Sequence, residues 1–546
     1  MKRLLSLILA AVLVLCVTGC AAAPAEPTEP AILDLSGKYA LDTARNEAII
    51  PAPGEITPVD SNAVVFYHIF VGSFSDSNGD GIGDLRGIIN RMDYINDGDP
   101  NSGLSLGAEG IWLSPIFVSP SYHKYDVADY YQVDPKFGTN EDLKELIDLC
   151  HERGVKIILD MVINHSSNQN PWFKSFCEAH KNGDTESEYY NLYTWIEETV
   201  PGKTWYNING TNHKYEGNFS SQMPELNYDN PDAYQKMLDV CKYYLELGVD
   251  GFRFDAAKYI YYGDTTPNID FWNRFMADLR AIKPDLYSVA EVWDSDGVTI
   301  PYFSSTNCFN FSMAQTNGQI AATAKAGDVN VLTAYMEHYI DLIKAENPDA
   351  FPVTFIANHD TDRAAGFLNV SSGQAFVAAN LSILMPGSSF IYYGEEIGLK
   401  GARGGANTDA NRRLAMLWGD GDSVKDPVGA DYASEQLNGT VQDQLPNGDS
   451  LFNHYKNLIS IRKAYPEIAN GTYTALKTDS DVGGFVSEYN GSRVAVIHNT
   501  TLEAATIDLA QYGLDAMQIG AFAGLNDATL DGTVLTIGAQ TSVVLK

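Results

Sequence analysis

The sequence predicts an α/β fold, a (β/α)8 (TIM) barrel, with a small inserted domain after strand three and a C-terminal antiparallel β domain. Three observations predict it. From Val64 onward, short apolar runs alternate with longer segments of helical period, the pattern of βα units around a parallel sheet. The interval between the third and fourth runs is about 85 residues, too long for a structureless loop in a compact barrel. After Pro466 the pattern changes to short alternating strands with Gly or Asn turns.

The strand-like runs are VVFYHIF at 64–70, GIWLS at 110–114, KIILDMV at 156–162, VDGFRFD at 249–255 and YSVAE at 287–291, followed by CFNF at 308–311, VTFIAN at 353–358 and FIYYG at 390–394. Between them, NEDLKELIDLCHERGV and DAYQKMLDVCKYYLELGV carry apolar residues at i, i+3 and i+4 and end at Gly, as amphipathic helices with a glycine cap do. The barrel is placed at 59–165 and 227–466, the inserted domain at 166–226 and a terminal β-sandwich at 467–546. A barrel of this kind carries its chemistry at the C-terminal ends of its strands.

The first residues read as a targeting segment. Lys2 and Arg3 precede an apolar run from Leu4 to Leu15, shorter than the roughly 20 residues of a spanning helix. Val17-Thr18-Gly19-Cys20 resembles the lipobox of bacterial lipoproteins. That resemblance implies a signal peptide over 1–19, lipidation of Cys20 and anchoring at the membrane or cell surface. Residues 20–58, rich in Pro and Ala, read as a tether. The 70 acidic against 36 basic residues leave a net charge of −34, which repels nucleic acid and anionic lipid headgroups. A neutral or cationic ligand, no nucleic acid partner and a monomer are expected. Cys150, Cys177, Cys241 and Cys308 lie far apart with no metal-ligand spacing.

With 70 carboxylates, only position makes an acidic residue informative. Asp160, Asp255, Glu291 and Asp360 each fall at or just beyond the end of a strand run. Arg253 and Asp255 are two apart and project from the same side of their strand, so the guanidinium is expected to lower the carboxyl pKa and keep a nucleophile ionised. Glu291, in VAEVW, is expected to be raised by apolar neighbours and held as a general acid.

DMVINH at 160–165, GFRFDAAKY at 251–259, AEVW at 290–293 and ANHD at 357–360 resemble the four hallmark segments of the α-amylase family, glycoside hydrolase family 13. FYHIFVGSFSDSNGDGIGDLRGI, YHKYDVADY, MPELN and IYYGEEIGL are similar to further segments of that family, and the likeness covers about 64 to 465. It implies Asp255 as nucleophile, Glu291 as general acid/base and Asp360 as a third carboxylate on the sugar hydroxyls. It further implies that Arg253 holds the nucleophile, that His165 and His359 bind the same sugar, and that Tyr125 stacks on its face with His123 beside it. Asp160 and Arg363 join the implied substrate-binding set, and Lys258 and Trp293 line the acceptor side.

The loop SDSNGDGIGD at 75–84 alternates hard oxygen ligands with glycines, which suits Ca²⁺ through Asp76, Asn78, Asp80 and Asp84, although Gly87 stands where an EF-hand has Glu. The resemblance adds the Ile82 carbonyl. Lys258-Tyr259 replaces the Lys-His of many α-amylases, which puts a second calcium site in doubt. MPELN points to a group between oligo-1,6-glucosidase-like and neopullulanase-like members. Ala256, where α-1,6-specific relatives commonly carry Val, leaves room for an α-1,4-linked chain. The expected activity is therefore retaining, endo-type hydrolysis of α-1,4 bonds in starch and maltooligosaccharides. An exo-acting α-glucosidase or transglycosylase is the nearest alternative, and a non-catalytic glucan-binding lipoprotein a more distant one.

Overall fold

In the computed structural model, residues 61–99, 102–404 and 409–546 are described. The expected signal segment, Cys20 and the tether lie outside them. Eight parallel strands form one sheet: β1 Val65–Ile69, β2 Gly110–Leu113, β3 Lys156–Met161, β4 Gly251–Phe254, β5 Tyr287–Ala290, β6 Asn307–Cys308, β7 Val353–Phe355 and β8 Ser388–Tyr392. Their order is β6-β5-β4-β3-β2-β1-β8-β7, and a parallel bridge between Phe309 and Val353 joins the two edges. The predicted barrel is the observed architecture.

Alternation along each strand separates two cores. Phe66, Trp112, Ile158, Val289, Phe309 and Phe390 fill the barrel axis, with Phe66 and Phe390 stacked 4.7 Å apart. Their sequence neighbours, such as Tyr67, Ile111, Leu159 and Phe252, belong to the larger core shared with the helices. Gly251 lets β4 and β5 close on each other, because a Cβ there would lie 1.9 Å from the Tyr287 carbonyl oxygen. β6 is shorter than its apolar run, yet Asn310 N still donates to Val353 O at 2.9 Å and extends the contact with β7.

The helix Asn140–Glu152 starts in a capping box of Thr139 and Asp142 and buries Leu143, Leu146, Ile147 and Cys150. Gly154, just beyond it, turns the chain into β3 at φ +68°. Between β3 and the helix Pro231–Leu247 stands a small unit. It consists of the helix Pro171–Asn182 and a three-stranded sheet in the order Trp195–Ile196, Lys214–Glu216, Trp205–Asn207. At the C-terminus, a five-stranded and a three-stranded antiparallel sheet enclose a core of their own around Ile497, Leu535, Ile537 and Val543. Cys150, Cys177, Cys241 and Cys308 are free thiols.

Candidate active site

The strand period that builds the barrel core also builds the site above it. Arg253 is two residues beyond Gly251 on β4, and its guanidinium carbon lies 5.3 Å from the ring centre of Trp112, over the barrel core. Asp255 is two residues further on, Asp160 two beyond Ile158 on β3, and Glu291 two beyond Val289 on β5. All three carboxylates reach the same cation. Arg253 Nη1 lies 2.7 Å from Asp160 Oδ1 and 2.8 Å from Asp255 Oδ1, and Nη2 lies 2.9 Å from Glu291 Oε2. The backbone N–H of Ala256 donates to the same Glu291 oxygen at 3.0 Å.

The electrostatics correct one sequence expectation. Burial raises the Asp255 carboxyl and outweighs the guanidinium, which acts against it together with a hydrogen bond from Glu291. Glu291 is raised by burial, with Arg253 opposing and Asp255 and Asp360 adding like charge. Its apolar sequence neighbours Val289 and Val292 sit in the cores, so the polar cluster and its desolvation set its protonation. Asp160, pushed up by burial to about 7, spends one oxygen on Arg253 and the other on the Tyr125 hydroxyl at 2.8 Å. It therefore positions Arg253 and Tyr125.

Asp360, after β7, behaves oppositely. Burial alone would raise it, but His359 and Arg413 hold it well below the usual carboxylate range. His359 Nε2 is 2.9 Å from Asp360 Oδ2, and Arg413 Nη2 is 2.8 Å from Oδ1. Tyr125 lies parallel to His359 with its hydroxyl 2.6 Å from Nε2. His123 Nδ1 accepts from the Tyr125 N–H at 3.1 Å, and burial lowers its ring to about 4. His165 is also lowered to about 4 by burial, and its Nε2 has no partner within the described chain. A neutral ring with an open nitrogen suits a hydroxyl.

Sequence reasoning missed Arg413, which also donates to the His359 carbonyl and to Tyr122 Oη, each at 3.0 Å. It lies in a loop after β8 without periodicity, and no local signal marks it. Arg363 was expected to bind substrate, but it lies between the rings of Tyr392 and Tyr393, 4.3 and 4.5 Å from their centres, and donates to Tyr393 O at 2.7 Å. These contacts pack it against the end of β8, with Nε and Nη2 left without a partner among the described residues. Lys258 donates to Trp293 O at 2.7 Å and to Asp294 Oδ2 at 3.0 Å, while Trp293 stacks on Phe311.

The 75–84 loop is a chain of side chain-to-backbone turns. Asp76 accepts from the N–H groups of Asn78, Gly79 and Gly81, Asn78 Oδ1 from Asp80 N, and Asp80 Oδ1 from Ile82 N. Asp84 caps the helix Leu85–Asn90 through Gly87 N and accepts from Ser77. Hard oxygens thus recur at alternate positions, as a Ca²⁺ loop needs. Among the described residues no group of three or more His, Cys, Asp or Glu side chains forms a metal cluster.

Aromatic rings and neutral histidines beside ionised and protonated carboxyls accept a neutral, hydroxyl-rich ring better than a phosphate or an apolar ligand. Fold and site together define a glycoside hydrolase. Comparison with known proteins sharpens this: the family model "Alpha amylase, catalytic domain" matches residues 68–471, and the chain belongs to the α-amylase family, glycoside hydrolase family 13, whose members act on α-glucans with retention. It is 36% identical over 443 residues to "Alpha-amylase 3" of Dictyoglomus thermophilum, covering 80% of this chain and 84% of that one. Among solved structures it is similar to Eubacterium rectale Amy13B (TM-score 0.84, 32% identity, 93% and 99% of the two chains). An α-amylase from H. orenii is similar too (TM-score 0.79, 34% identity, 89% and 99%).

Proposed function

We propose that the protein is an endo-acting α-amylase that cleaves α-1,4 bonds of starch and maltooligosaccharides, with Asp255 as nucleophile, Glu291 as general acid/base and Asp360 as the carboxylate that holds hydroxyls of the distorted sugar. One observation carries this reading. The single guanidinium of Arg253 touches Asp255 and Glu291 at 2.8 and 2.9 Å, fixing an acid pair beside a third, strongly ionised carboxylate.

The protonation states follow from the site. Burial raises both Asp255 and Glu291 and Arg253 opposes the rise at both, so the hydrogen bond from Glu291, which lowers Asp255, is what favours the charge on Asp255 and the proton on Glu291. Glu291 then gives its proton to the glycosidic oxygen while Asp255 attacks the anomeric carbon. In the second half Glu291, now ionised, takes a proton from water as water displaces the ester. Asp360, kept charged by His359 and Arg413, favours the positive charge that develops on the sugar ring.

Replacing Asp255 by Asn tests the assignment. Release of reducing ends from soluble starch is expected to fall by about 10⁴-fold or more, and product chromatography on the wild type is expected to show mixed maltooligosaccharides early. Activity surviving in the Asn variant refutes the nucleophile. Glucose as the sole early product refutes endo action and favours an exo-acting α-glucosidase.

Two further expectations belong to this reading. Asp76, Asn78, Asp80 and Asp84 with the Ile82 carbonyl would hold Ca²⁺, which supplies cross-linking of the loop that follows β1. Chelation is then expected to lower the thermal midpoint, and added Ca²⁺ to restore it. Lipidation at Cys20 would place the enzyme on the cell surface. Metabolic labelling with a clickable fatty acid, lost in Cys20→Ala, checks it.

A further inference from the structure

A cavity of about 700 Å³ lies at the end of the barrel opposite the carboxylates. Val64, Glu109, Lys156 and Asp250, at the N-terminal ends of β1 to β4, line it together with the segment 102–107 and the helix Leu451–Ala464. Sites for small ligands have this size. The helix contributes Lys456, Ile459, Ser460 and Lys463, residues three and four apart and therefore on one face. The reaction proposed above uses none of these residues.

The whole chain has 70 acidic and 36 basic residues, yet bases prevail on this wall. Arg153, Lys156, Lys456, Arg462 and Lys463 stand against Asp99, Glu109 and Asp250. Asp250 Oδ2 accepts from Ile157 N at 2.8 Å and lies 3.0 Å from His151 Nε2, while Glu109 Oε2 accepts from Val65 N at 3.1 Å. Arg153 is paired with Asp93 at 2.7 Å. Lys456 and Lys463 form no ion pair among the described residues.

Lys456 carries most weight. It is 7% exposed, and its Nζ donates to the neutral Gly103 O at 2.9 Å. Desolvation alone acts on the ammonium and lowers it to about 8. Lys124 is the counter-case, buried as well but with Asp134 at 2.6 Å. Arg462, also buried, donates through its Nη groups to the carbonyls of Ile383, Met385 and Gly387 and leaves Nε without a partner among the described residues. A buried ammonium has three donors and is costly without an anion to complete it.

We infer that the cavity binds a phosphoryl group, free or esterified to a small polyol, between Lys456 and Lys463. The two lysines are separated by about 10 Å along the helix axis, a gap that two long side chains close around one tetrahedral anion. Ammonium groups suit that anion because they attract it as point charges and need no fixed plane. The hydroxyls of Ser102 and Ser460 on the same wall suit those of a polyol, and an ester fills volume that bare phosphate leaves.

Calorimetric titration of the full-length protein at pH 7 and fixed ionic strength tests this, with glycerol 3-phosphate, inorganic phosphate and glycerol as probes. Wild type is compared with Lys456→Met, Lys463→Gln and a control, Lys144→Gln, an exposed lysine paired with Asp148 on another helix. Wild type is expected to bind glycerol 3-phosphate saturably and glycerol not at all. Lys456→Met is expected to weaken binding about tenfold or more, Lys463→Gln to weaken it less, and the control to match wild type. Tighter binding of the ester than of phosphate identifies an ester site, and equal binding a site for free phosphate. In chloride alone Lys456→Met is expected to melt no lower than wild type, because it removes an uncompensated charge. Saturating glycerol 3-phosphate is then expected to raise the wild-type midpoint only, with starch hydrolysis by Lys456→Met unchanged. Wild type that binds neither phosphate nor the ester, or binding that is equal in Lys456→Met, overturns the site. A lower midpoint of Lys456→Met in chloride, with no response of wild type to the ester, shows that Lys456 serves only its bond to Gly103 and overturns it too.

Discussion

Ala256 follows the proposed nucleophile in the left-handed region, at φ 49° and ψ 39°, with its N–H on Glu291. A β-branched residue is a genuine outlier there, since its Cβ substituents crowd the backbone. Ala256→Val is therefore expected to shift preference from maltotriose towards isomaltose by filling the acceptor side, and also to cost about 1–2 kcal/mol of stability. The ratio of the two hydrolysis rates, with a thermal midpoint alongside, checks both; an unchanged ratio sinks the specificity argument. At this scale the sequence was a good guide wherever the strand period sets direction. Arg253 and Asp255 share a face because they are two apart, and the structure bonds them. It was a poor guide to what a carboxylate or guanidinium spends its atoms on. Asp160 sits at the right strand end and Arg363 in the segment after β7, yet their partners are Arg253 with Tyr125 and the Tyr392–Tyr393 pair. Arg413 reaches Asp360 from a distant loop, a pairing that only the closed barrel creates.

The barrel strands were legible as elements because each lies in an apolar run of four or more residues in the sequence, even where the strand itself is as short as β6, and the helices because their caps and period agree. The strands of the inserted unit were not. They are two or three residues long and are packed through rings such as Trp195, Tyr206 and Tyr215, which leaves no alternation to read. The loop at 119–126 shows how an irregular element is kept rigid without periodicity. Lys124 adopts φ +67°, and its buried Nζ lies 2.6 Å from Asp134 and donates to Ser119 O at 3.2 Å. Asp126 accepts from Ser119 Oγ and Ser121 Oγ. His123 and Tyr125, proposed to face the sugar, flank Lys124, whose left-handed backbone sets the direction of both. Lys124→Met leaves Asp134 buried without its cation, a loss of about 3–5 kcal/mol for a fully buried pair. The expected outcome is a KM for maltoheptaose raised about tenfold with retention of configuration unchanged. An unaltered KM shows that the loop holds its rings without the ion pair.

Across the whole molecule, acidity is handled in two ways. Most of the −34 charge lies in water, where it repels itself more strongly as pH rises. Beneath the barrel mouth, adjacent Glu395 and Glu396 are buried instead. Tyr67 and Tyr94 both donate to Glu396 Oε1 at 2.6 Å, and Tyr455 donates to Glu395 Oε1 at 3.0 Å. Burial pushes Glu395 up to about 8, with its hydrogen bond from Tyr455 opposing and the charge of Glu396 adding to the rise. The unfolded chain releases that proton at about 4.3, so between the two values the folded state binds one proton more. The resulting stability is fully present below the lower value and is lost as pH rises through the upper one, at up to about 1.4 kcal/mol per pH unit. Glu395→Gln keeps the shape and removes the titration. Any constant cost of the new amide shifts its whole curve, whereas the slope reports the proton. The thermal midpoint of the wild type is therefore expected to fall from pH 5 to pH 8 more steeply than that of Glu395→Gln, measured at one scan rate and one ionic strength. The part of the fall that the two proteins share contains the charged surface and the other carboxyls raised by burial, Glu396 and Glu225 among them; only the surface share is expected to shrink with added salt, because exposed charges are screened over about 10 Å at 0.1 M and buried ones are not. Parallel curves at every salt concentration would show that the Glu395 proton contributes nothing to the pH dependence.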